Sequence, residues 1–322
     1  MTTRREFLQS GALGLVTPAT GRFELQNRAG STTRSTREEL VSVRTEDGLV
    51  MTGLQVTPDR PASRRLAVVW IHGAGTNFYL PSYVAIARAT ASLGYPFITG
   101  NTRMHDIGSV LTYEPAQLRG GSYWGLPSKE PIDIAAWVGH AGNRGYQEVV
   151  LVGHSAGGPA ARGYLASRSD PRVVGLVMAS VGVDPSPAGT EDPERLKIAR
   201  DMVASGRPAD FLPNLRLSAA TYVDYADTPP EMRDFYGART PNPAITRIRC
   251  PLLAWFGSRE PDIGTAADLL RLHELIARHP QGPARVDTRI VEDADHFYAG
   301  QETQIARILI DWITPLPAKA PR

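Results

Sequence analysis

The sequence alternates short continuous apolar runs with longer amphipathic segments, and this order limits the chain to few folds. Continuous apolar runs are typical of strands that are covered on both faces, as in a parallel sheet. Repeated strand–helix order predicts an α/β fold, a mostly parallel sheet with helices on both faces. The predicted strands are Leu66–Ile71, Tyr95–Thr99, Glu148–Val152, Val173–Met178, Pro251–Phe256 and Val286–Val291. The predicted helices are Ser82–Leu93, Ile132–Ala141, Pro159–Ser167, Thr265–Ala277 and Gln301–Ile313.

A hairpin is predicted ahead of these elements. Two apolar segments, Leu40–Val43 and Leu49–Leu54, flank the turn-forming residues Glu46–Gly48. Asp-Gly between two strand-forming segments is a strong hairpin signal, because glycine readily adopts the backbone conformation that tight turns need.

The alternation stops between Val183 and Thr246, where prolines and aromatic residues are frequent. An excursion of this length in a compact domain usually has a function, such as covering a site. We therefore predict a helical lid insertion at about residues 184–246, with a helix over Glu194–Ala204. The alternative is a helical decoration with its aromatic residues packed underneath. The candidate pocket residues in this insertion are Tyr222, Tyr225, Phe235 and Tyr236.

Charge and cysteine content exclude several function classes. The net charge is only +2, from 35 basic and 33 acidic side chains, which gives no electrostatic case for nucleic acid. The single cysteine, Cys250, excludes an internal disulfide and a thiolate metal cluster. No uncharged apolar run reaches the roughly 18 residues of a membrane span. Metal-ligand spacing of histidines and a phosphate-binding glycine motif are both absent, so we expect no metal and no cofactor.

The N-terminus resembles a bacterial twin-arginine export signal. Arg4 and Arg5 precede Phe7, Leu8 and a short, weakly apolar stretch, 10–16. This resemblance implies export of the folded protein by the twin-arginine machinery, and a periplasmic or secreted location. A frayed basic terminus on a cytoplasmic protein is the alternative. We expect an export signal and disordered linker at 1–35 and one domain at 36–316.

The strongest local motif is Gly153–Gly158, with the sequence GHSAGG. It follows the predicted strand Glu148–Val152 and precedes a predicted helix, so its serine lies in a strand-to-helix turn. Glycines two residues before and two residues after Ser155 allow the tight bend that exposes a nucleophile at the end of the strand. The same bend directs the backbone N–H of Ala156 toward a developing oxyanion. A structural glycine–serine turn is the alternative interpretation.

This motif resembles the nucleophile elbow of the α/β-hydrolase fold, and the resemblance extends from about Val41 to Ile313. That family places an acid and then a histidine after the nucleophile. His296 follows the last predicted strand, as the catalytic histidine of the family does. Glu260 lies three residues past Gly257, at the position of the family's acid, although aspartate is commoner there. Asp262 is the alternative acid.

A second backbone donor for the oxyanion is implied by the same resemblance. The segment His72–Gly75 follows the strand Leu66–Ile71 and is similar to the His-Gly loop of the family. The N–H groups of Ala74 and Ala156 would then form the oxyanion hole. We interpret His72 itself as structural.

Two other segments are further candidate sites. His105 and Asp106 are adjacent after a predicted strand, and they form either a second catalytic pair or, more simply, a loop contact near the pocket. Gly120–Gly125 has no predicted strand before it, which indicates a shaped loop.

Together these features predict a serine hydrolase of the carboxylic ester class, which forms an acyl-enzyme on Ser155. His296 would be the general base, Glu260 its orienting acid, and the partner a small-molecule ester. The same triad could instead cleave an amide or a C–C bond, or catalyse a peroxide-forming acyl transfer, because one fold supports many reactions. A catalytically silent binding protein with this fold is a further alternative.

Overall fold

The computed structural model describes residues 35–113, 116–182, 192–234, 236 and 240–318. The predicted export signal, nearly all of the predicted linker, and Phe235 lie outside these residues. Within the described chain, ten strands form one sheet in the order β10-β9-β8-β7-β3-β4-β2-β5-β6, with β1 paired to β2. The strands are β1 Thr36–Arg44, β2 Val50–Pro58, β3 Leu66–Ile71, β4 Phe97–Gly100, β5 Ser109–Tyr113, β6 Ala116–Gly120, β7 Glu148–His154, β8 Val173–Ala179, β9 Leu252–Gly257 and β10 Val286–Val291.

The centre of the sheet is parallel, as the continuous apolar runs predict. Strand β7 pairs in parallel with β3 and β8, and β9 pairs in parallel with β8 and β10. All residues of β3, β7 and β9 are buried. The predicted N-terminal hairpin is also present, because β1 pairs antiparallel with β2 around the turn at Gly48. The carboxyl ends of the parallel strands therefore meet at one rim of the sheet.

Helices cover both faces of this sheet. Helices α1 and α8 pack against one apolar cluster, whereas α2, α3 and α7 pack against another on the opposite face. Covering both faces removes the apolar side chains of the central strands from water. The helices outside the insertion are α1 Pro81–Ser92, α2 Glu130–Asn143, α3 Gly157–Ser167, α7 Ala266–Ala277 and α8 Glu302–Ile313.

One hairpin at the edge of the sheet differs from the prediction. Strands β5 and β6 pair antiparallel, and β6 ends at Gly120, so the segment Gly120–Gly125 does follow a strand. The prediction of no strand there is wrong. Four of the five β6 residues are exposed, and a strand at an exposed edge needs no apolar run.

The described part of the insertion contains three α-helices, α4 Pro193–Ala204, α5 Ala219–Asp227 and α6 Pro230–Arg233. The Asp192 side chain caps α4 by accepting hydrogen bonds from the backbone N–H groups of Glu194 and Arg195. The insertion has its own small apolar cluster, separate from the two that flank the sheet. Its buried members are Ala199, Met202, Leu212, Leu217, Ala219 and Tyr222.

None of the helices that the structure describes is both long enough and apolar enough to cross a lipid bilayer.

Candidate active site

Ser155 lies on a tight turn directly after β7, at the rim where the parallel strands end. Its φ is +50°, a left-handed conformation that side chains other than glycine rarely adopt. A Cβ on Gly153 would lie 2.4 Å from the carbonyl oxygen of Gly157. A Cβ on Gly157 would lie 2.6 Å from the carbonyl oxygen of His72. Both glycines are therefore required by close backbone approach, which is the reason that the sequence motif suggested.

The structure brings Ser155, His296 and Glu260 together. His296 Nε2 lies 3.1 Å from Ser155 Oγ, and His296 Nδ1 lies 2.7 Å from Glu260 Oε2. Because a carboxylate only accepts, Nδ1–H donates to Glu260, and Nε2 is left to accept the serine proton. Asp262, the alternative acid, is exposed, whereas Glu260 is buried beside the histidine. The acid position therefore falls to Glu260.

A chain of hydrogen bonds holds Glu260 through Oε1, the carboxylate oxygen that does not contact His296. Its Oε1 accepts from the Ser180 hydroxyl and from the backbone N–H of Gly257. The hydroxyl of Tyr298 donates to Ser180 Oγ over 2.7 Å, and the indole N–H of Trp255 donates to Tyr298 over 3.0 Å. Every proton in this chain points toward the carboxylate. Burial raises the pKa of Tyr298 well above its usual value, so the tyrosine keeps the proton that it donates.

A second chain connects the loop after β3 to the loop that carries His296. The backbone N–H of Gly73 donates to the Tyr83 hydroxyl over 3.2 Å. That hydroxyl lies 2.6 Å from His154 Nδ1, and His154 Nε2 lies 2.8 Å from the carbonyl oxygen of His296. Since a carbonyl only accepts, His154 donates through Nε2 and accepts from tyrosine through Nδ1. Burial lowers the pKa of His154 well below its usual value, which keeps the ring neutral.

The sequence patterns predict no role for Ser180, Tyr298 or Tyr83. Ser180 comes directly after the buried strand β8. Its φ of +51° lies in the left-handed region, as the φ of Ser155 does. A polar residue just past a buried strand was the one signal that could have found it. Tyr83 and Tyr298 meet their hydrogen-bond partners only in the tertiary fold. No local sequence motif marks either residue.

The loop after β3 approaches the nucleophile closely. A Cβ on Gly73 would lie 3.0 Å from Ser155 Cβ. Within the described part of the chain, neither Ala74 nor Ala156 uses its backbone N–H in a hydrogen bond. Two donors near the serine therefore remain open, as an oxyanion hole requires.

His72 orders this loop through both of its ring nitrogens. Nδ1–H donates to the carbonyl of Gly73 over 2.9 Å, and Nε2 accepts the backbone N–H of Thr102 over 3.0 Å. Burial lowers the pKa of His72 to about 4, so the ring is neutral at physiological pH. These contacts fit the structural interpretation of His72.

A cavity of about 710 Å³ opens beside Ala74 and Ala156. Tyr225 lines it, together with other residues of α5, α6 and the turn between them. Tyr222 instead belongs to the apolar cluster of the insertion, and the Tyr236 hydroxyl donates to the carbonyl of Val181 over 2.9 Å. Tyr222 and Tyr236 are therefore not among the residues that line this cavity, because their buried rings pack inside the protein.

The pair His105 and Asp106 forms a contact within its own loop. His105 Nδ1 lies 2.9 Å from Asp106 Oδ2, and Asp106 Oδ1 accepts from Asn77 Nδ2 over 2.6 Å. Asp106 has a φ of +60°. An aspartate that is fixed in this conformation by two side chains fits the loop-contact interpretation better than a second catalytic pair.

The fold and the site together define a class of protein. A mostly parallel sheet that carries a serine on the turn after a central strand, with an acid and then a histidine later in the chain, is the α/β-hydrolase arrangement. The family model described as "Alpha/beta hydrolase family" matches residues 68–308. The chain belongs to this family.

Solved structures share the fold at low sequence identity. An esterase from Pyrococcus furiosus is 16% identical, with a TM-score of 0.55 over 87% of this chain and 91% of that chain. Est1E from Butyrivibrio proteoclasticus, with ferulic acid bound, is 13% identical, with a TM-score of 0.58 over 87% and 100%. A putative aryl esterase from Burkholderia cenocepacia is 16% identical, with a TM-score of 0.52 over 86% and 98%. No curated protein matches the sequence.

Proposed function

We propose that the protein is a serine hydrolase that cleaves a carboxylic ester. The observation that carries the proposal is the pair of hydrogen bonds that joins Ser155 Oγ to His296 and His296 to Glu260. In the first step Ser155 Oγ attacks the ester carbonyl while His296 Nε2 takes the hydroxyl proton. Glu260 fixes the ring orientation and stabilises the imidazolium, without taking the proton itself.

The remaining steps use the same groups. The tetrahedral intermediate collapses when the alcohol leaves with the proton from His296, which leaves an acyl group on Ser155. Water then gives a proton to His296 and attacks the acyl carbon, and the acid product departs as the proton returns to Ser155. The backbone N–H groups of Ala74 and Ala156 stabilise both oxyanions. One such donor contributes about 3 kcal/mol to lowering the barrier in characterised hydrolases.

The choice of an ester draws support from two directions. Several proteins of similar fold are named esterases, and one of them holds ferulic acid. The wall of the cavity beside Ala156 includes apolar side chains such as Met104, Ile132 and Met232, which suit the apolar part of an ester. Amide hydrolysis, C–C cleavage and silent binding are the alternatives that the substrate panel described below separates, and peroxide-forming acyl transfer is a further alternative.

The insertion has the proposed role of a lid. Seven of its described residues form part of the cavity wall: Asp224, Tyr225, Asp227, Thr228, Pro229, Met232 and Arg233. A helical cover would exclude water from the acyl-enzyme. A variant that lacks the insertion should lose selectivity among acyl groups more than it loses reactivity toward a small ester.

Export by the twin-arginine route is also proposed, from Arg4 and Arg5. Replacement of both by lysine should leave the protein in the cytoplasm of a bacterial host that has this route. Export at an unchanged level would contradict the proposal.

The test of the function is a substrate panel. Purified protein is assayed with 4-nitrophenyl esters, the matching anilides and a diketone, with Ser155→Ala as the control. We expect turnover of esters that Ser155→Ala lacks, with the anilides and the diketone much slower. Ester turnover that survives in Ser155→Ala, or a folded wild type that turns over no ester, would refute the proposal.

A further inference from the structure

Glu130 is a buried carboxyl on the cavity wall that the triad does not use. It is the first residue of α2, and its residue exposure is 7%. Its Oε1 accepts a hydrogen bond from the Thr102 hydroxyl over 2.8 Å. Among the residues that the structure describes, Oε2 has no hydrogen-bond partner.

The charged groups around Glu130 do not neutralise it. Arg103 uses its guanidinium for Asp133, with its closest contact at 2.6 Å, and for Asp47 at 3.0 Å. The Asp224 carboxylate accepts from the backbone N–H and the hydroxyl of Ser128 and adds a second negative charge nearby. Burial, with Asp133 and Asp224 as lesser causes, raises the pKa of Glu130 to about 8.

Glu130 is therefore protonated at neutral pH and acts as a hydrogen-bond donor. Since Oε1 accepts from the Thr102 hydroxyl, the carboxyl proton resides on Oε2. A neutral O–H group donates to an acceptor oxygen and offers a cation no ionic partner. The cavity wall that includes Glu130 also has apolar residues, Met104, Pro127, Pro131, Ile132, Ala160 and Met232, and charged residues, Arg162, Arg168, Asp224, Asp227 and Arg233.

We propose that Glu130 determines substrate specificity by donating a hydrogen bond to an uncharged oxygen, a ketone or hydroxyl, within the apolar part of the ester that occupies the cavity. This inference rests on the proposed ester hydrolysis and names its substrate class, apolar esters that carry one further oxygen. A plain hydrocarbon ester fills the same space and leaves the Glu130 hydroxyl without a partner. An unpaired buried donor is costly, so oxygenated esters should be preferred about tenfold.

The experiment compares esters that differ by one oxygen. The substrates are 4-nitrophenyl esters with a saturated medium-length acyl chain and their keto analogues, with the ketone placed at each position in turn. A second series carries the ketone in an alkyl alcohol half, and a third carries an ammonium group. The variants are Glu130→Gln and Glu130→Met, and circular dichroism confirms that both fold.

Glutamine mimics the protonated carboxyl, because its carbonyl accepts from Thr102 and its amide donates into the cavity. Wild type and Glu130→Gln should both prefer one keto ester by about tenfold in kcat/KM. Glu130→Met should lose that preference, so that its kcat/KM values for the keto ester and the plain ester become equal. Equal preference in Glu130→Met and wild type, or a wild type without any preference, overturns the proposal. A preference for the ammonium ester that Glu130→Gln loses also overturns it, since that result requires an ionised carboxylate.

A binding measurement separates this proposal from the proposed function. The keto and plain esters are titrated calorimetrically into Ser155→Ala and into Ser155→Ala with Glu130→Met. Tighter binding of a keto ester that depends on Glu130 supports the specificity role even if no ester is hydrolysed. Equal binding in both proteins refutes it even if wild type is an efficient esterase.

Discussion

The triad and the cavity beside it arrange their polar atoms in different ways. Both carboxylate oxygens of Glu260 accept hydrogen bonds, and Tyr298 in turn donates a hydrogen bond to Ser180, one of the donors to Oε1. On the cavity side, Glu130 has a single donor, and the N–H groups of Ala74 and Ala156 have no acceptor among the described residues. In the proposed mechanism, the group that must hold one position is saturated by the protein, whereas the groups that would meet a substrate keep a vacant hydrogen bond.

The largest expected effect is on the triad side. Glu260→Gln keeps the shape but turns a pure acceptor into a group that can present N–H to His296 and favour the wrong tautomer. We expect kcat to fall by about 10³- to 10⁴-fold in an ester assay, with KM little changed. Asp262→Asn is the matched control and should stay near wild type, because Asp262 is exposed. An equal loss in both variants would break the distinction between the two acids.

The next effect is on the cavity side and concerns stability. The pKa of Glu130 is raised to about 8 in the folded protein, so the folded state holds a proton that the unfolded state releases near pH 4.5. Between these values wild type loses stability as pH rises, and Glu130→Gln does not. The free energy of unfolding of Glu130→Gln relative to wild type should therefore increase by roughly 3–5 kcal/mol from pH 4 to pH 9.

Urea denaturation of both proteins at a series of pH values measures this difference. Other titrating groups are common to both proteins and cancel in the comparison. A difference that stays flat with pH would show that Glu130 is not held in its neutral form.

A smaller effect is expected from the support of the triad. Tyr298→Phe removes the hydroxyl that donates to Ser180, which leaves Ser180 less firmly aimed at Glu260. We expect kcat to fall about tenfold with KM unchanged, as the loss of one buried hydrogen bond suggests. Tyr79→Phe, at an exposed tyrosine, is the control and should have no effect. A change in KM alone would place Tyr298 in substrate binding instead.

The smallest effect separates two tyrosines of α5. Tyr225→Leu changes the cavity wall, so KM for long acyl esters should change a few-fold while the midpoint of urea unfolding changes less. Tyr222→Leu removes a ring from the apolar cluster of the insertion and should lower stability by about 1–3 kcal/mol with KM unchanged. Steady-state kinetics and urea unfolding of both variants measure these two effects. A change in KM for Tyr222→Leu and a loss of stability for Tyr225→Leu would contradict the assignment of Tyr225 to the cavity wall and Tyr222 to the apolar cluster.

Much of the sheet could be predicted from the sequence because burial on both faces leaves a local signature. The segment Leu66–Ile71, in which every residue is buried, has the bounds that its apolar run predicts. Val286–Val291 also has the predicted bounds, although only Val291 in it is buried. The hairpin Ser109–Gly120 was not predicted, because an exposed edge strand has no such signature.

The residues of the candidate site also divide into those that a local sequence pattern marks and those that only the fold brings together. Ser155 is marked by a local turn, and His296 and Glu260 by places after strands that match those implied by the resemblance to α/β-hydrolases. The hydrogen bonds of Tyr83 and Tyr298 depend on side chains from separate elements that meet only in the folded protein. Helical spacing alone does not say which tyrosine of α5 faces the cavity.

The most direct test of the triad is covalent labelling with a fluorophosphonate, followed by mass spectrometry of the peptides. We expect one adduct, on Ser155, that forms rapidly in wild type, far more slowly in His296→Ala and not at all in folded Ser155→Ala. An adduct on another residue, or labelling of Ser155 at the same rate without the imidazole, would contradict it.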